Sequence, residues 1–411
     1  MISRDVGTMS ASVTAFHFVR ETVTQVRHSR AMTRRGLLLL LVLLGCPRPP
    51  PPKVAPRPPP PDPMAEVRDL VKFVYSTLET GDPDPLKPKV APDVMAFGLG
   101  PSDTWAQRDA VINFVRQELL SISLESEVLR IRSGRIDVGL AAGEESAWFW
   151  DLPRVEYERK GKTTTWLVRV TGHAVKVDGA WQLDAVHVSL GVPDEKVFAA
   201  DAARKYLPPA DVLAERGKDS DELVGLTRRL LDDMAVKVDR SSDRAEYVLI
   251  GTGSELFEGG KSFKDLVRPQ LAAIKKGGFA YKIEGPVRSR LAPGRTSGWV
   301  AANVVLRIGS GKKQQVLPPF RVLWIYAEEK ELWNLVSEHQ SLALKQDLRS
   351  PADEAAIKAF ELVDKGRRAR SDPKPVRAAT SSADAGSSED SSSGKGGRVT
   401  AAPDGGIGTF D

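Results

Sequence analysis

The sequence predicts an α+β chain made of two tandem cone-shaped domains, each a set of helices packed in a curved antiparallel meander sheet. Three observations lead there. Between a proline-rich segment and a Ser/Gly-rich end lie about 300 residues, which suits two domains better than one. In each half, helical periodicity comes early and only strand periodicity follows, an α+β order. The chain also matches itself. Trp181-Gln182-Leu183-Asp184-Ala185-Val186-His187-Val188-Ser189-Leu190 shares Trp, Leu, His, Ser and Leu, at five of ten places, with Trp333 to Leu342, always 152 residues apart. Upstream, Gly98-Leu99-Gly100-Pro101-Ser102-Asp103-Thr104-Trp105 faces Gly251-Thr252-Gly253-Ser254-Glu255-Leu256-Phe257. There the pairs Asp103/Glu255 and Trp105/Phe257 keep the same offset of 152. One offset held at both ends of the match reads as a tandem duplication.

The first element is an address. Thr33-Arg34-Arg35-Gly36, the apolar run Leu37 to Leu44 and Gly45-Cys46 have the layout of a secretory signal. Leu43, Leu44, Gly45 and Cys46 resemble a bacterial lipobox, which implies a lipid on the Cys46 thiol and cleavage before it. That places the protein in the cell envelope of a bacterium as a membrane-anchored lipoprotein, facing the periplasm or in the outer membrane. The apolar run is far shorter than the roughly 20 residues that span a bilayer; an uncleaved short anchor or a buried helix is the other reading. Met32 offers a start at a normal distance, so residues 1–31 read as an over-extended start or a long n-region. Cys46 is the only cysteine, so no intramolecular disulfide is expected.

The chain carries a formal charge of +5. Residues 1–46 hold six arginines against two acids, four of those five charges. What remains is near neutral and lacks the basic field of a nucleic-acid binder. Lys312-Lys313 and Arg367 to Arg370 read as solvated surface or tail.

From Pro47 to Pro63, eleven of seventeen residues are proline. The run favours polyproline II and gives a stalk of about 50 Å. In the first domain, Val67, Leu70, Val71, Val74 and Leu78 form a helical stripe over Met64 to Glu79, ended by Gly81-Asp82-Pro83. A short strand (Val94 to Leu99) and a second helix (Gln107 to Leu119) follow. Strand patterns then cover Ile122 to Ile131, Glu144 to Glu158, Thr163 to Val177 and Trp181 to Leu190, with Asp178-Gly179 as a hairpin turn. In the second domain the helices are Asp221 to Val236 and Lys261 to Lys275. The strands are Tyr247 to Ile250, Phe279 to Arg288, Gly298 to Ile308, Gln314 to Tyr326 and Leu332 to Leu344. The expected plan is thus 1–31 as the doubtful start, 32–46 as signal and 47–63 as stalk. The first domain is 64–193, a connecting helix or linker 194–219, and the second domain 220–350. A short helix covers 351–365. Residues 366–411, rich in Ser, Gly, Ala and Asp, cannot bury enough apolar surface to order themselves.

The Gly-x-Gly-Pro-Ser-Asp-Thr-Trp and Gly-Thr-Gly-Ser-Glu-Leu-Phe-Glu-Gly segments ahead of a helix resemble the SnoaL-like branch of the nuclear transport factor 2-like superfamily. So does a last strand of the form Trp-x-Leu-x-x-x-His-x-Ser. Gln107 stands where the family pattern has Gly. The resemblance implies a cone that holds a pocket, proton-transfer chemistry on a buried acid in some members, and pairing through the convex sheet face. In this chain the two domains would make that pairing with each other.

Strand alternation puts Trp181, Leu183, Ala185, His187 and Ser189 on one face, and Trp333, Leu335, Ser337, His339 and Ser341 on the matching face. With a large aromatic and a Leu at its start, that face reads as the inner one. His187/Ser189 and His339/Ser341 would then orient a ligand or supply a general base or acid. They would otherwise be buried histidines satisfied by neighbours. Asp184 and Glu338 fall on the opposite face, so no inward acid stands out. Asp103 and Glu255 precede the second helix of each domain, as helix caps or as catalytic carboxylates. Trp148, Trp150 and Trp166, with Trp299 and Trp324, are core, or line an apolar ligand pocket. Gly259-Gly260-Lys261-Ser262 lacks the first glycine of a phosphate loop, since position 255 is Glu255. No Gly-x-Ser-x-Gly elbow and no Cys/His spacing for zinc occurs, so no metal and no cofactor is expected. The expected function is non-catalytic binding of a small apolar ligand or of a partner protein. The alternative is an isomerase or cyclase that moves a proton with a pocket acid or His.

Overall fold

The computed structural model describes residues 62–100, 102–125, 128–192, 221–253, 255–276, 278–309, 314–317, 319–342 and 351–371. The signal and lipobox with Cys46, the stalk up to residue 61, the linker 194–219 and the tail beyond 371 lie outside them.

Helix α1 (Pro63–Thr80) begins where its chemistry dictates. Asp62 Oδ1 accepts from Met64 N at 3.0 Å, Pro63 opens the first turn, and Gly81 closes the helix at φ 78°. Then come β1 (Val90–Phe97), β2 (Thr104–Trp105), α2 (Arg108–Glu125), β3 (Val128–Arg132), β4 (Asp137–Leu140), β5 (Ser146–Asp151), β6 (Arg154–Arg159), β7 (Lys162–Val177) and β8 (Ala180–Leu190). The sheet runs β2-β1-β8-β7, and the long β7 then pairs with β6 along its first half and with β5 along its second. Asp178 and Gly179 turn the last hairpin, both at positive φ.

The second domain holds α3 (Asp221–Asp232), α4 (Met234–Arg240), β9 (Val248–Ile250), β10 (Leu256–Glu258), α5 (Gly260–Val267) and α6 (Leu271–Lys276). Its remaining strands are β11 (Ala280–Leu291), β12 (Ser297–Ile308), β13 (Gln315–Val316), β14 (Phe320–Glu329) and β15 (Leu332–Ser341). The sheet order is β10-β9-β15-β14-β12-β11. Both sheets are mixed rather than purely antiparallel, because β1 lies parallel to β8 and β9 parallel to β15.

Several expected boundaries move for local reasons. The strand expected over Ile122 to Ile131 is helical to Glu125 and extended only from Val128. The long strand Glu144 to Glu158 breaks at Leu152-Pro153 into β5 and β6, since proline cannot donate to a ladder. The helix over Asp221 to Val236 restarts at Asp233, whose carboxylate accepts from Ala235 N at 2.8 Å. Pro269 opens a 3₁₀ turn inside the expected Lys261–Lys275 helix.

One shift changes the reading of every site residue. In the β7–β8 pair, Ala185 faces His173 and Leu183 faces Ala174, which leaves Asp184 as an extra residue. In the β14–β15 pair, Ser337 faces Ile325 and Leu335 faces Tyr326, which leaves Val336 extra, 152 residues on. A bulge swaps the two faces of the strand beyond it. Trp181, Leu183 and Leu335 therefore belong to the core around the helices, with Trp333 packed against it. Ala185 and Val336 join a separate cluster with Met95, Phe97, Trp148, Trp299, Ala301, Leu323 and Ile325, drawn from both sheets. The two sheets meet through this cluster.

Helix α7 (Glu354–Ser371) runs past the expected end at 365. Arg367, expected in solvated tail, is fully buried. It pairs with Asp137 of the first domain at 2.6 Å and Glu258 of the second at 3.3 Å, and lies 3.9 Å over the Trp150 ring. Leucines and valines cannot announce such an anchor, because it rests on one cation. Arg367→Ala should cost about 3 kcal/mol by leaving carboxylates without their counter-charge, read as a lower urea midpoint with an unchanged m-value.

Candidate functional site

The conspicuous histidines stand where the sheets meet. His187 on β8 and His339 on β15 stack with centroids 3.9 Å apart and ring planes 19° apart, both fully buried. Their hydroxyl partners are exchanged. His187 Nε2 lies 2.7 Å from Ser341 Oγ, and His339 Nε2 lies 2.7 Å from Ser189 Oγ. His339 Nδ1 is 3.0 Å from Thr171 Oγ1. Arg169 Nε already donates to Ser189 Oγ at 3.0 Å, which leaves that hydroxyl's proton for His339 Nε2. Burial, then the neighbouring imidazole and the Arg321 and Arg169 guanidinium groups, hold His187 well below its ordinary range. Burial and the same two arginines do so for His339. Both rings are neutral at pH 7, and no ligand space separates them. The expectation that His187, Ser189, His339 and Ser341 line a cone is corrected by the bulge that turns them outward.

Two arginines outside the matched segments complete the symmetry. Arg169 and Arg321 lie 152 residues apart. Arg169 Nη1 donates to the carbonyls of Gly251 (2.9 Å) and Gly253 (2.6 Å), and Nη2 to that of Leu190 (2.9 Å). Arg321 donates to the carbonyls of Gly98, Gly100 (3.1 Å) and Asp103 (3.0 Å). Each domain thus grips the Gly-x-Gly turn of the other. Inside each turn the acid receives the loop amide: Asp103 from Gly100 N, and Glu255 from Gly253 N at 2.7 Å. Neither acid caps the following helix, which begins at Arg108 or Gly260. The turns need glycine, since a Cβ on Gly98 or Gly251 would fall within 3 Å of the Cβ of Asp103 or Glu255. Burial pulls Arg169 down to about 10, against the charge of Glu255, so it stays a cation at neutral pH.

A third polar link surrounds Asp184, the bulge residue of β8. Its Oδ2 takes His173 Nδ1 at 3.0 Å and Trp299 Nε1 at 2.7 Å, and Arg290 lies 2.7 Å from Oδ1. His173 Nε2 reaches Ser297 Oγ at 2.7 Å, which donates to Ser146 Oγ at 2.6 Å. Burial opposes the charge, yet the bonds from His173 and Trp299 and the charges of His173 and Arg290 hold the Asp184 carboxyl below its usual range. Trp148 donates from Nε1 to Glu246 O at 3.2 Å across the same junction. Trp148 and Trp299 therefore join the domains, and Trp181 is tied to α1 by a 2.9 Å bond to Glu66.

The space for a small molecule lies elsewhere. A cavity of about 280 Å³ opens inside the second domain, between β12, β14 and β15 on one side and α4 and α5 on the other. Leu249, Phe257, Phe263, Ile274, Leu306, Leu317 and Phe320 give its apolar walls. Lys237, Thr252, Glu255, Tyr281 and Gln340 give its polar ones. Of the acids and histidines singled out from sequence, Glu255 alone is there. Behind Lys237 stands buried Glu338, with oxygens 2.8 and 2.7 Å from Nζ and a bond from the Gln340 amide. The same bulge that turned His339 outward turned Glu338 inward. Burial, with the charges of Glu338 and Glu255, pushes the Tyr281 hydroxyl up to about 12. At the positions 152 residues earlier than Glu338 and Gln340, the first domain has Val186 and Val188, packed in its apolar core. Among the described residues no group of three or more His, Cys, Asp or Glu side chains could hold a metal ion. No described helix is long and apolar enough to cross a membrane.

The family model described as SnoaL-like domain matches residues 67–194, which hold the first mixed sheet and its N-terminal helix. Residues 67–194 form a SnoaL-like domain. The second domain repeats its parallel pair, its last hairpin and its bulge. No curated protein matches the chain. Among solved structures, a putative scytalone dehydratase from Novosphingobium aromaticivorans is 15% identical, covering 31% of this chain and 83% of that one at a TM-score of 0.28. An NTF2-like protein with a cystatin-like fold from the same species is 16% identical, over 35% of this chain and 87% of that one, also at 0.28. A putative calcium/calmodulin-dependent protein kinase II association domain from Xanthomonas campestris is 24% identical, over 30% and 85%, at 0.27.

Two expectations follow for the two domains. A histidine with a depressed folded pKa contributes stability that is complete above its unfolded value near 6.5 and is lost as pH falls below it. Denaturant midpoints should therefore drop between pH 7 and pH 5. Asp151, pushed up to about 6 chiefly by burial, acts in the opposite sense and only blunts the fall. Removing Glu338 alone (Glu338→Leu) should cost about 3 kcal/mol, and Lys237→Met/Glu338→Leu should recover most of it, because the unpaired buried ammonium is the main loss.

Proposed function

We propose that the protein is a lipid-anchored ligand-binding protein of the bacterial cell envelope, in which the second SnoaL-like domain takes a small, mostly apolar molecule with one hydrogen-bonding end. The observation that carries this reading is the cavity of about 280 Å³, apolar but for Lys237, Gln340 and Tyr281 and the turn residues Thr252 and Glu255. Its size suits a compact molecule at the lower end of ligand pockets. The charges around it balance closely, with Lys237 against Glu338 and Arg169 near Glu255, which favours a neutral guest. Both acids at the cavity are engaged, Glu338 by Lys237 and Gln340, and Glu255 by the Gly253 amide at 2.7 Å. An acid so engaged holds a site in shape; a proton-transfer base needs a free lone pair aimed at the substrate. The isomerase or cyclase reading is weaker for that reason. The first SnoaL-like domain, with Val186 and Val188 in the matching places, acts as the docking partner of the second.

The address rests on the lipobox Leu43 to Cys46 and the stalk behind it. Cys46→Ser should move the protein from the membrane fraction to the soluble one and abolish labelling by a radioactive fatty acid; retention in the membrane would contradict the anchor. Native mass spectrometry of protein from its own host should find a small molecule that Leu306→Trp, which fills the cavity, displaces. An empty wild-type protein, or a guest indifferent to Leu306→Trp, would sink the ligand reading.

A further inference from the structure

The cavity belongs to the second domain, yet one of its walls is held by the first. Gly251, Thr252 and Glu255 line it. Arg169 on β7 of the first domain takes the carbonyls of Gly251 and Gly253 at 2.9 and 2.6 Å and lies 3.4 Å from that of Thr252. Val192 N, also of the first domain, donates to Thr252 O at 3.0 Å. All three carbonyls of the turn are thus satisfied from across the junction. The turn in turn fixes Glu255, which receives Gly253 N on its carboxylate and Gly251 N on its carbonyl at 3.0 Å.

We propose that Arg169 is a positioning residue for the ligand site, and that the cavity of the second domain has its binding shape only while the first domain is docked on it. The proposal rests on the ligand reading above. Its physical basis is the fork of the guanidinium, which satisfies several carbonyls at fixed angles where an ammonium is a point charge. Arg169 is buried and spends Nε on Ser189 Oγ, so its direction is set from both ends. A turn held in this way cannot drift into the cavity or away from it without stranding a buried cation.

The molecule contains its own control. Arg321 holds the carbonyls of Gly98, Gly100 and Asp103 in the same manner. That turn belongs to the first domain, and none of its residues lines the cavity. Loss of either fork weakens the junction; only loss of Arg169 disturbs the site.

The experiment compares Arg169→Lys with Arg321→Lys in the full chain. Three readouts are used: thermal midpoint, amide hydrogen exchange, and fluorescence titration with 2-naphthol, a neutral apolar probe with one hydroxyl. Both variants should lose a similar amount in midpoint. Arg169→Lys should speed exchange over 249–257 and weaken 2-naphthol about tenfold, within the usual span of coupling between sites. Arg321→Lys should speed exchange over 97–105 and leave the probe within twofold of wild type. Equal losses of probe affinity in the two variants, or unchanged exchange over 249–257 in Arg169→Lys, would overturn the positioning role. Absence of 2-naphthol binding in wild type, with an exchange pattern that still separates the two arginines, overturns the ligand reading alone; absence of both overturns the hold of Arg169 on the turn as well.

Discussion

Two stacked imidazoles and two exchanged hydroxyl partners sit at the centre of this fold, and most of the remaining arrangement follows from them. His187 reaches Ser341 and His339 reaches Ser189, so each domain supplies a polar partner to the other's buried histidine. A buried donor or acceptor left without a partner costs about 1–3 kcal/mol. Sliding one sheet on the other by a single residue would strand all four groups at once, together with the carbonyls gripped by Arg169 and Arg321. The apolar cluster supplies attraction without direction; the polar network supplies the register. A sheet face of Ala, Leu and Val alone would accept several registers.

The bulges at Asp184 and Val336 make this possible. Before the bulge, the last strand gives its large side chains to the helices; after it, the same strand gives His and Ser to the other sheet. One inserted residue thus lets a single strand serve two cores. In the second domain the switch also turns Glu338 and Gln340 toward the helices, where they meet Lys237 at the cavity wall. The junction and the cavity are the two faces of one strand, which is why a clamp on one bears on the other.

Much of this was legible in the sequence, and the failures have physical causes. Composition, the helix-then-strand order and the constant offset point to two α+β domains, and the Gly-x-Gly and Trp-x-Leu-x-x-x-His-x-Ser motifs carry the resemblance to the SnoaL-like family. The Gly-x-Gly and Trp-x-Leu-x-x-x-His-x-Ser matches marked real constraints, but their purpose was misread. Strict alternation through Trp181 to Ser189 treats the strand as regular, and a bulge leaves no mark in such a pattern. Glu338, expected outward, therefore turns inward to Lys237, whereas Asp184 faces outward as expected, at the junction with Trp299 and Arg290. Arg169 and Arg321 obeyed the offset and could have been found by extending the comparison upstream of the last strand. Arg367 could not, because its value lies in Asp137, Glu258 and Trp150, which come together only in three dimensions.

The central claim is that the two domains are coupled through the exchanged histidine–serine pairs, and a double-mutant cycle measures it directly. His187→Ala, Ser341→Ala and the double variant would be unfolded in urea at pH 7.5. The account predicts a coupling of about 1–2 kcal/mol between residues 154 positions apart in the chain. Losses that simply add, within about 0.3–0.5 kcal/mol, would mean that the two side chains do not meet, and would contradict the coupling through the exchanged pairs.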